Sequence, residues 1–110
     1  MGTNTVPLKG SPPLTTVEIN TTSTTTIVAP ASIHPAGLYR LSLTITGTTT
    51  LEFTGAAAMR RYDFNNGGTI ALDYSGYPWY QALSGSALIM TQTSTAQLSG
   101  EIDYAYADQP

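Results

Sequence analysis

Apolar and polar residues alternate along most of this chain with a period of two. The alternation is clearest at residues 38–46, where Tyr39, Leu41, Leu43 and Ile45 share one face and polar side chains take the other. This period is typical of β-strands with one buried face, and no segment carries a convincing helical period. The pattern predicts eight strands, at residues 14–19, 25–29, 38–46, 48–54, 59–64, 69–73, 86–93 and 97–106.

Residues suited to turns separate these strands. Gly47 lies between two of them, and Asn-Asn-Gly-Gly at residues 65–68 tolerates positive φ. Both sites therefore predict β-hairpins. Short strands at a spacing of roughly ten residues favour a sandwich or a barrel. We expect an all-β fold, an eight-stranded antiparallel jelly-roll-like sandwich, because eight strands fill the two Greek keys of a jelly roll.

The first part of the chain does not follow the alternation. Residues 1–13 contain three prolines, which fix φ and remove backbone donors, so we predict an extended N-terminal arm there. A single sandwich domain is predicted for residues 14–110. The arm is either a free tail or a tether that lies along a neighbouring subunit. If it is a tether, its contact residues are Val6, Leu8 and Lys9.

The composition narrows the range of partners. Only 10% of the residues are charged, against about 25% in an ordinary domain, and threonine takes much of their place. Such a surface is common where a protein packs against its neighbours, because desolvating charge is costly. The net charge is −3 with four basic residues, which argues against nucleic acid as a partner.

The sequence also suggests where the protein folds. There is no cysteine, and neither a signal peptide nor an apolar stretch approaching the roughly 20 residues of a membrane helix is recognisable. We therefore expect folding in a reducing cytoplasm and no association with a membrane.

Catalytic and metal-binding patterns are weak. His34 is the only histidine and stands in a loop bounded by prolines. Glu101 and Asp103 share one face of a strand, but a solvated carboxylate pair explains them equally well. Residues 63–67 have some features of a calcium loop without its full ligand set. We predict that the chain is not an enzyme and has no metal site or cofactor.

An aromatic loop is the most distinctive segment. Tyr74, Tyr77, Trp79 and Tyr80 fall close together among glycine and proline. Aromatic residues with one polar group are enriched at interfaces. We predict that Trp79 is largely buried, at an end of the sandwich or at a subunit contact; the alternative is an exposed binding role. In this part of the chain the interface candidates are Tyr77, Trp79, Tyr80, Tyr104 and Tyr106.

The C-terminal third of the chain resembles the C-terminal part of a family of small structural proteins of tailed bacteriophages. The resemblance rests on residues 76–88 (GYPWYQALSGSAL) and 94–104 (STAQLSGEIDY), an aromatic loop followed by two strands. It covers about the last third of the chain and includes no catalytic residue. It implies a jelly-roll-like domain displayed on a virion, often as a trimer.

From the resemblance and the short length together, we expect a capsid decoration (cement) protein. Its partners would be itself, as a homotrimer, and the major capsid protein or another virion protein. The alternative is a receptor- or carbohydrate-binding module of a tail or head fibre that uses residues 74–80.

Overall fold

The computed structural model describes residues 14–56 and 58–107. This part of the chain forms nine β-strands and no helix. The strands are β1 (Thr15–Thr21), β2 (Thr25–Ala29), β3 (Ala36–Thr46), β4 (Thr49–Thr54), β5 (Arg60–Phe64), β6 (Gly68–Leu72), β7 (Tyr80–Gln81), β8 (Leu88–Gln92) and β9 (Gln97–Tyr106). The predicted arm, with Val6, Leu8 and Lys9, lies outside the described residues.

The strands form two antiparallel sheets that enclose one core. The first sheet has the order β1-β9-β3-β6, and the short strand β7 pairs with the beginning of β3. The second sheet has the order β2-β8-β4-β5. The prediction of an all-β sandwich is confirmed. Each of the eight predicted segments overlaps a strand, and only β7 was not predicted.

Alternation along each strand sends one set of side chains into the space between the sheets. Leu51 and Phe53 of β4, Leu88 of β8 and Ile102 of β9 have no exposed surface. Each such side chain contributes about 1.5–3 kcal/mol by leaving water. This shared apolar layer holds the two sheets together.

Both predicted hairpins are wrong. Gly47 joins β3 to β4, and residues 65–67 join β5 to β6, but each turn crosses from one sheet to the other. The expectation that residues 65–68 adopt positive φ is nevertheless met, since Asn66 has φ 66°. Gly47 also has a positive φ, 118°. In the described residues, β4 and β5 are the only strands adjacent in sequence that also pair. Turn residues set local backbone angles and do not determine which strand pairs next.

A bulge in β3 changes which side chains enter the core. The pairing of β3 with β9 skips Tyr39, so Leu38 turns inward and is 1% exposed. The Tyr39 ring instead stacks on Tyr74, with ring centroids 6.0 Å apart. Tyr39 is buried, at 6% exposure, but it lies outside the central apolar cluster and so does not share the inward face of the other three residues as predicted. For the other members of that face the prediction is confirmed: Leu41, Leu43 and Ile45.

The backbones of β9 and β3 make a very close contact at Gly100. Its φ is +148°, and a Cβ atom there would collide with the carbonyl oxygen of Ser42 and lie 2.9 Å from the Cα of Leu43. Only glycine allows this separation between the two strands.

We expect Gly100→Ala to destabilise the protein by about 3 kcal/mol or more, because the new methyl group forces apart two central strands. Gly85→Ala is the matched control. Gly85 also has a positive φ, 84°, but nothing lies within 4 Å of its Cβ position, so a cost of about 1 kcal/mol is expected. Urea unfolding measures both. Equal losses would show that the close contact is not a constraint.

Candidate binding surface

The loops gather at two opposite ends of the sandwich that differ in chemistry. One end carries the connections at residues 30–35, 55–56 with 58–59, 73–79 and 82–87, and it also includes Leu14. We call it the apolar end. The other carries the turns at residues 22–24, 47–48, 65–67 and 93–96, and we call it the polar end. The antiparallel order places every connection at one end or the other.

Exposed apolar side chains concentrate at the apolar end. Ile33 is 79% exposed, Tyr77 78% and Leu83 57%. With the exception of Ile27, which lies on β2, all exposed large apolar side chains of the described residues belong to this end. They are Leu14, Ile33, Met59, Tyr74, Tyr77, Trp79 and Leu83. Apolar residues gathered in this way mark an interaction site more often than scattered ones do.

The polar end is built in the opposite way. Its turns consist of threonine, serine, asparagine and glycine with one alanine, and they hydrogen-bond to one another. Ser94 donates its hydroxyl to the carbonyl oxygen of Thr48 at 2.5 Å, and Asn66 donates its backbone N–H to the Thr48 hydroxyl at 2.9 Å. Gln92 ties two of the turns by donating to the carbonyls of Ser23 and Ala96. These contacts link the polar turns to one another and suit an end that faces water.

Trp79 stands at the apolar end in a fixed orientation. Its backbone N–H donates to the carbonyl oxygen of Leu38 at 2.7 Å, and its indole N–H donates to that of Asp73 at 2.8 Å. The residue is 38% exposed. The prediction that Trp79 is largely buried is therefore wrong for the single chain. The indole is anchored at one edge and leaves part of its surface open.

Tyr80 is the aromatic residue that enters the core. It is 7% exposed, and its hydroxyl accepts from the backbone N–H of Ala56 at 3.1 Å and donates to the carbonyl oxygen of Ala58 at 2.8 Å. The ring thus holds the β4–β5 connection against the first sheet. Little of Tyr80 remains available to a partner.

A shallow cleft opens beside these two residues. It has a volume of about 560 Å³, and its walls come from the β4–β5 connection and from the segment leading into β7. Its lining residues are Ala56, Ala58, Met59, Arg60, Pro78, Trp79, Tyr80 and Gln81.

Arg60 occupies an unusual position in β5. It lies opposite Phe53 in the pairing with β4, and it shares the inward face of β5 with Tyr62 and Phe64. Because β5 is an edge strand and Arg60 is its first residue, the side chain is exposed at the mouth of the cleft. Arg61 points to the outer face, where it forms an ion pair with Glu52 at 2.6 Å.

The remaining interface candidates lie elsewhere or are already engaged. Tyr104 and Tyr106 are half-buried and pack edge to face, with ring centroids 5.6 Å apart. The Tyr106 hydroxyl donates to the carbonyl oxygen of Pro30 at 2.8 Å. The exposed candidates that the structure brings together are thus Tyr77 and Trp79.

The carboxylates considered for chemistry form a structural network on the outer face of the first sheet. Arg40 lies 3.3 Å from Asp103 and 3.5 Å from Glu101, and the Thr16 hydroxyl donates to Asp103 at 2.6 Å. These contacts cross three neighbouring strands, so they favour a role in holding the sheet.

Other polar candidates also make local contacts. Asp63 accepts from the Thr50 hydroxyl at 2.7 Å, and His34 donates its backbone N–H to the Ser32 hydroxyl at 3.2 Å. Within residues 14–56 and 58–107, no three histidine, cysteine or acidic residues lie close enough together to hold a metal ion. The same residues include no helix long and apolar enough to cross a membrane.

Comparison with known proteins identifies no relative: no protein-family model, no curated protein and no solved structure matches this chain. The surface itself therefore carries the functional interpretation.

Several residues of the apolar end were not predicted from the sequence. Ile33, Met59 and Leu83 are single apolar residues in three separate loops, and only the fold brings them to one end. The position of Arg60 could have been predicted from the sequence, because it shares the period-two face of the inward residues Tyr62 and Phe64.

We expect Tyr80→Phe to destabilise the protein by about 1–3 kcal/mol, because it removes a hydroxyl that satisfies two backbone groups in a partly buried position. Tyr77→Phe is the control and should change stability by less than about 0.5 kcal/mol, since Tyr77 is 78% exposed. Thermal unfolding of both variants gives the comparison. A neutral Tyr80→Phe would show that the hydroxyl does not hold the loop.

The stacked pair Tyr39 and Tyr74 predicts a loss of stability in alkali. Burial raises the pKa of Tyr39, and the nearby Tyr74 raises it further. The folded state therefore holds the proton more tightly than the unfolded chain does. This contribution is complete below the unfolded pKa of about 10 and is lost as the pH rises through the folded value.

The free energy of unfolding should therefore fall as the pH rises from about 9 upward through the folded pKa, and the fall should be smaller in Tyr39→Phe. The pKa of Tyr106 is also raised, mainly by burial and then by the nearby, hydrogen-bonded Tyr104. A Tyr39→Phe/Tyr106→Phe double variant should therefore show the smallest fall in the free energy of unfolding. Urea unfolding across this pH range is the measurement. An identical fall in all three proteins would contradict the assignment.

Proposed function

We propose that this chain is a structural protein of a bacteriophage virion, a capsid decoration protein that attaches to the particle through its apolar end. The observation that carries the proposal is the gathering of exposed apolar side chains at that end, opposite an end made of polar turns. An attached protein needs one surface for the particle and another for water.

The C-terminal resemblance supports the link to a virion. Residues 76–88 and 94–104 carry that resemblance, and they include the loop with Tyr77 and Trp79. Part of the resemblance therefore coincides with the apolar end.

The strand order supports the jelly-roll interpretation. Successive strands from β1 to β6 change sheet at each connection except that between β4 and β5, and β8 and β9 again lie in opposite sheets. Nested pairing of this kind, with β9 between β1 and β3, and β8 between β2 and β4, is what two Greek keys would produce. We therefore propose a jelly roll with β7 as an addition.

We also propose self-association as a homotrimer, free or at threefold positions of a capsid, and no catalytic role. The low charge content supports a surface that meets protein. Light scattering that shows a monomer at every concentration would contradict a free trimer. The protein would fold in the host cytoplasm and reside in the virion.

The second candidate is a receptor- or carbohydrate-binding module of a fibre that uses residues 74–80. The partly exposed, anchored indole of Trp79 is the observation in its favour. The two functions predict different behaviour, because a decoration protein binds the particle through the apolar end, whereas a fibre module would use residues 74–80 to bind a receptor or a carbohydrate.

The test uses charge placed at the apolar end. The double variant Ile33→Glu/Leu83→Glu changes two exposed side chains and should leave the unfolding temperature unchanged. We expect at least about tenfold weaker binding to virions purified from cells that carry the gene, because the new charges would be desolvated in the contact. Electron microscopy and co-sedimentation measure occupancy.

The control is Thr22→Glu/Thr95→Glu, which adds the same charge at exposed positions of the polar end and should bind as the unaltered protein does. If both double variants bind normally, attachment does not use the apolar end. If the unaltered protein is absent from the particles and does not bind them, the virion role is wrong.

A further inference from the structure

We propose that the cleft between Trp79 and Arg60 receives a carboxylate side chain from an acidic segment of the partner protein. This inference rests on the proposed attachment through the apolar end, and it adds the chemistry of the group that is recognised. Two features carry it together: Arg60, which has no ion-pair partner among the described residues, and the anchored, partly exposed indole of Trp79, which lines the same cleft.

The two aromatic walls of the cleft are held in place before any partner arrives. Two hydrogen bonds fix Trp79, to the carbonyls of Leu38 and Asp73. Two more fix Tyr80, to Ala56 and Ala58. A site with fixed walls loses little conformational entropy on binding.

The charge in the cleft is not balanced within the described chain. Arg40 lies within 3.5 Å of Glu101 and Arg61 within 2.6 Å of Glu52. Within residues 14–56 and 58–107, Arg60 alone among the arginines has no acidic partner within ion-pair distance. A cation in this setting gains most from a carboxylate, which can accept two parallel hydrogen bonds from a guanidinium.

The residues around Arg60 define the neighbours of that carboxylate. Met59 is 52% exposed, and Pro78 and Trp79 add further apolar surface to the same cleft. Arginine and tryptophan together are typical of the few residues that carry most of an interface's binding energy. The matching segment is therefore an acidic residue with apolar residues on both sides.

A protein side chain fits this cleft better than a sugar does. A sugar ring presents several hydroxyl groups, and each hydroxyl that loses water without a partner weakens binding. The indole N–H of Trp79 and the hydroxyl of Tyr80 are already used internally. Arg60 and Gln81 are the lining side chains that still offer polar groups, which is enough for one carboxylate.

The chain contains one tryptophan, so Trp79 reports on the cleft directly by its fluorescence. The probe is a capped pentapeptide with glutamate between two leucines, titrated to millimolar concentration. Its control has glutamine in place of glutamate. We expect the glutamate peptide to shift the emission and to bind about tenfold more tightly than the control, because a charged hydrogen bond is lost in the latter.

The matched variants are Arg60→Gln and Arg61→Gln. The two arginines are adjacent, but only Arg60 lines the cleft, while Arg61 pairs with Glu52 on the outer face. Arg60→Gln should remove the preference for the glutamate peptide, and Arg61→Gln should keep it. Added salt should weaken the preference in the unaltered protein.

Equal binding of the two peptides, equal effects of the two variants, or no change in emission with either peptide would overturn the proposal. Glucuronate is titrated in parallel, and tighter binding of glucuronate than of the peptide would reassign the cleft to an acidic sugar. The peptide assay does not involve virions, so its outcome is independent of particle binding. Arg60→Gln that binds virions normally would refute this site while leaving the attachment role intact.

Discussion

The insertion of β9 between β1 and β3 is the contact on which the rest of the structure depends. In the described residues, β1 pairs only with β9, so β1 joins the first sheet only when the last strand is in place. Gly100 sets the separation between β9 and β3, and Arg40, Asp103 and Thr16 link all three strands on the outer face. Because these partners are far apart in sequence, the sheet forms only after long stretches of chain have closed, which is a slow step for β proteins.

The same strand also positions the apolar end. The last residues of β9 reach that end, where the Tyr106 hydroxyl binds the carbonyl of Pro30 and the backbone N–H of Ala107 binds that of Pro35. Tyr80 then ties the β4–β5 connection to the other sheet. Loops that are ordinarily mobile are thereby held at fixed distances from one another, which is what a recognition surface requires.

The contrast between the two ends connects the fold to the proposed attachment. An antiparallel sandwich sends alternate connections to opposite ends, so one chain can carry an apolar loop set and a polar turn set without interference. The cleft at Arg60 adds a single positive charge to a surface that is otherwise apolar and whose burial is therefore favourable. Burial would supply much of the affinity there and the charge would supply specificity, a division of roles common at protein interfaces.

By itself the sequence determined the period of the chain and therefore the positions of the strands. Residues 25–29 and 97–106 were predicted with the bounds they have in the structure, because alternation and turn residues are local properties. Tertiary structure decided which strands pair, since the turns at Gly47 and Asn66 have hairpin-like angles yet cross between sheets. It also decided that Tyr80 is buried and Trp79 partly exposed, and it brought Ile33, Met59 and Leu83 to one end. The physical reason is that pairing and burial depend on contacts between residues distant in sequence, and a local pattern does not encode them.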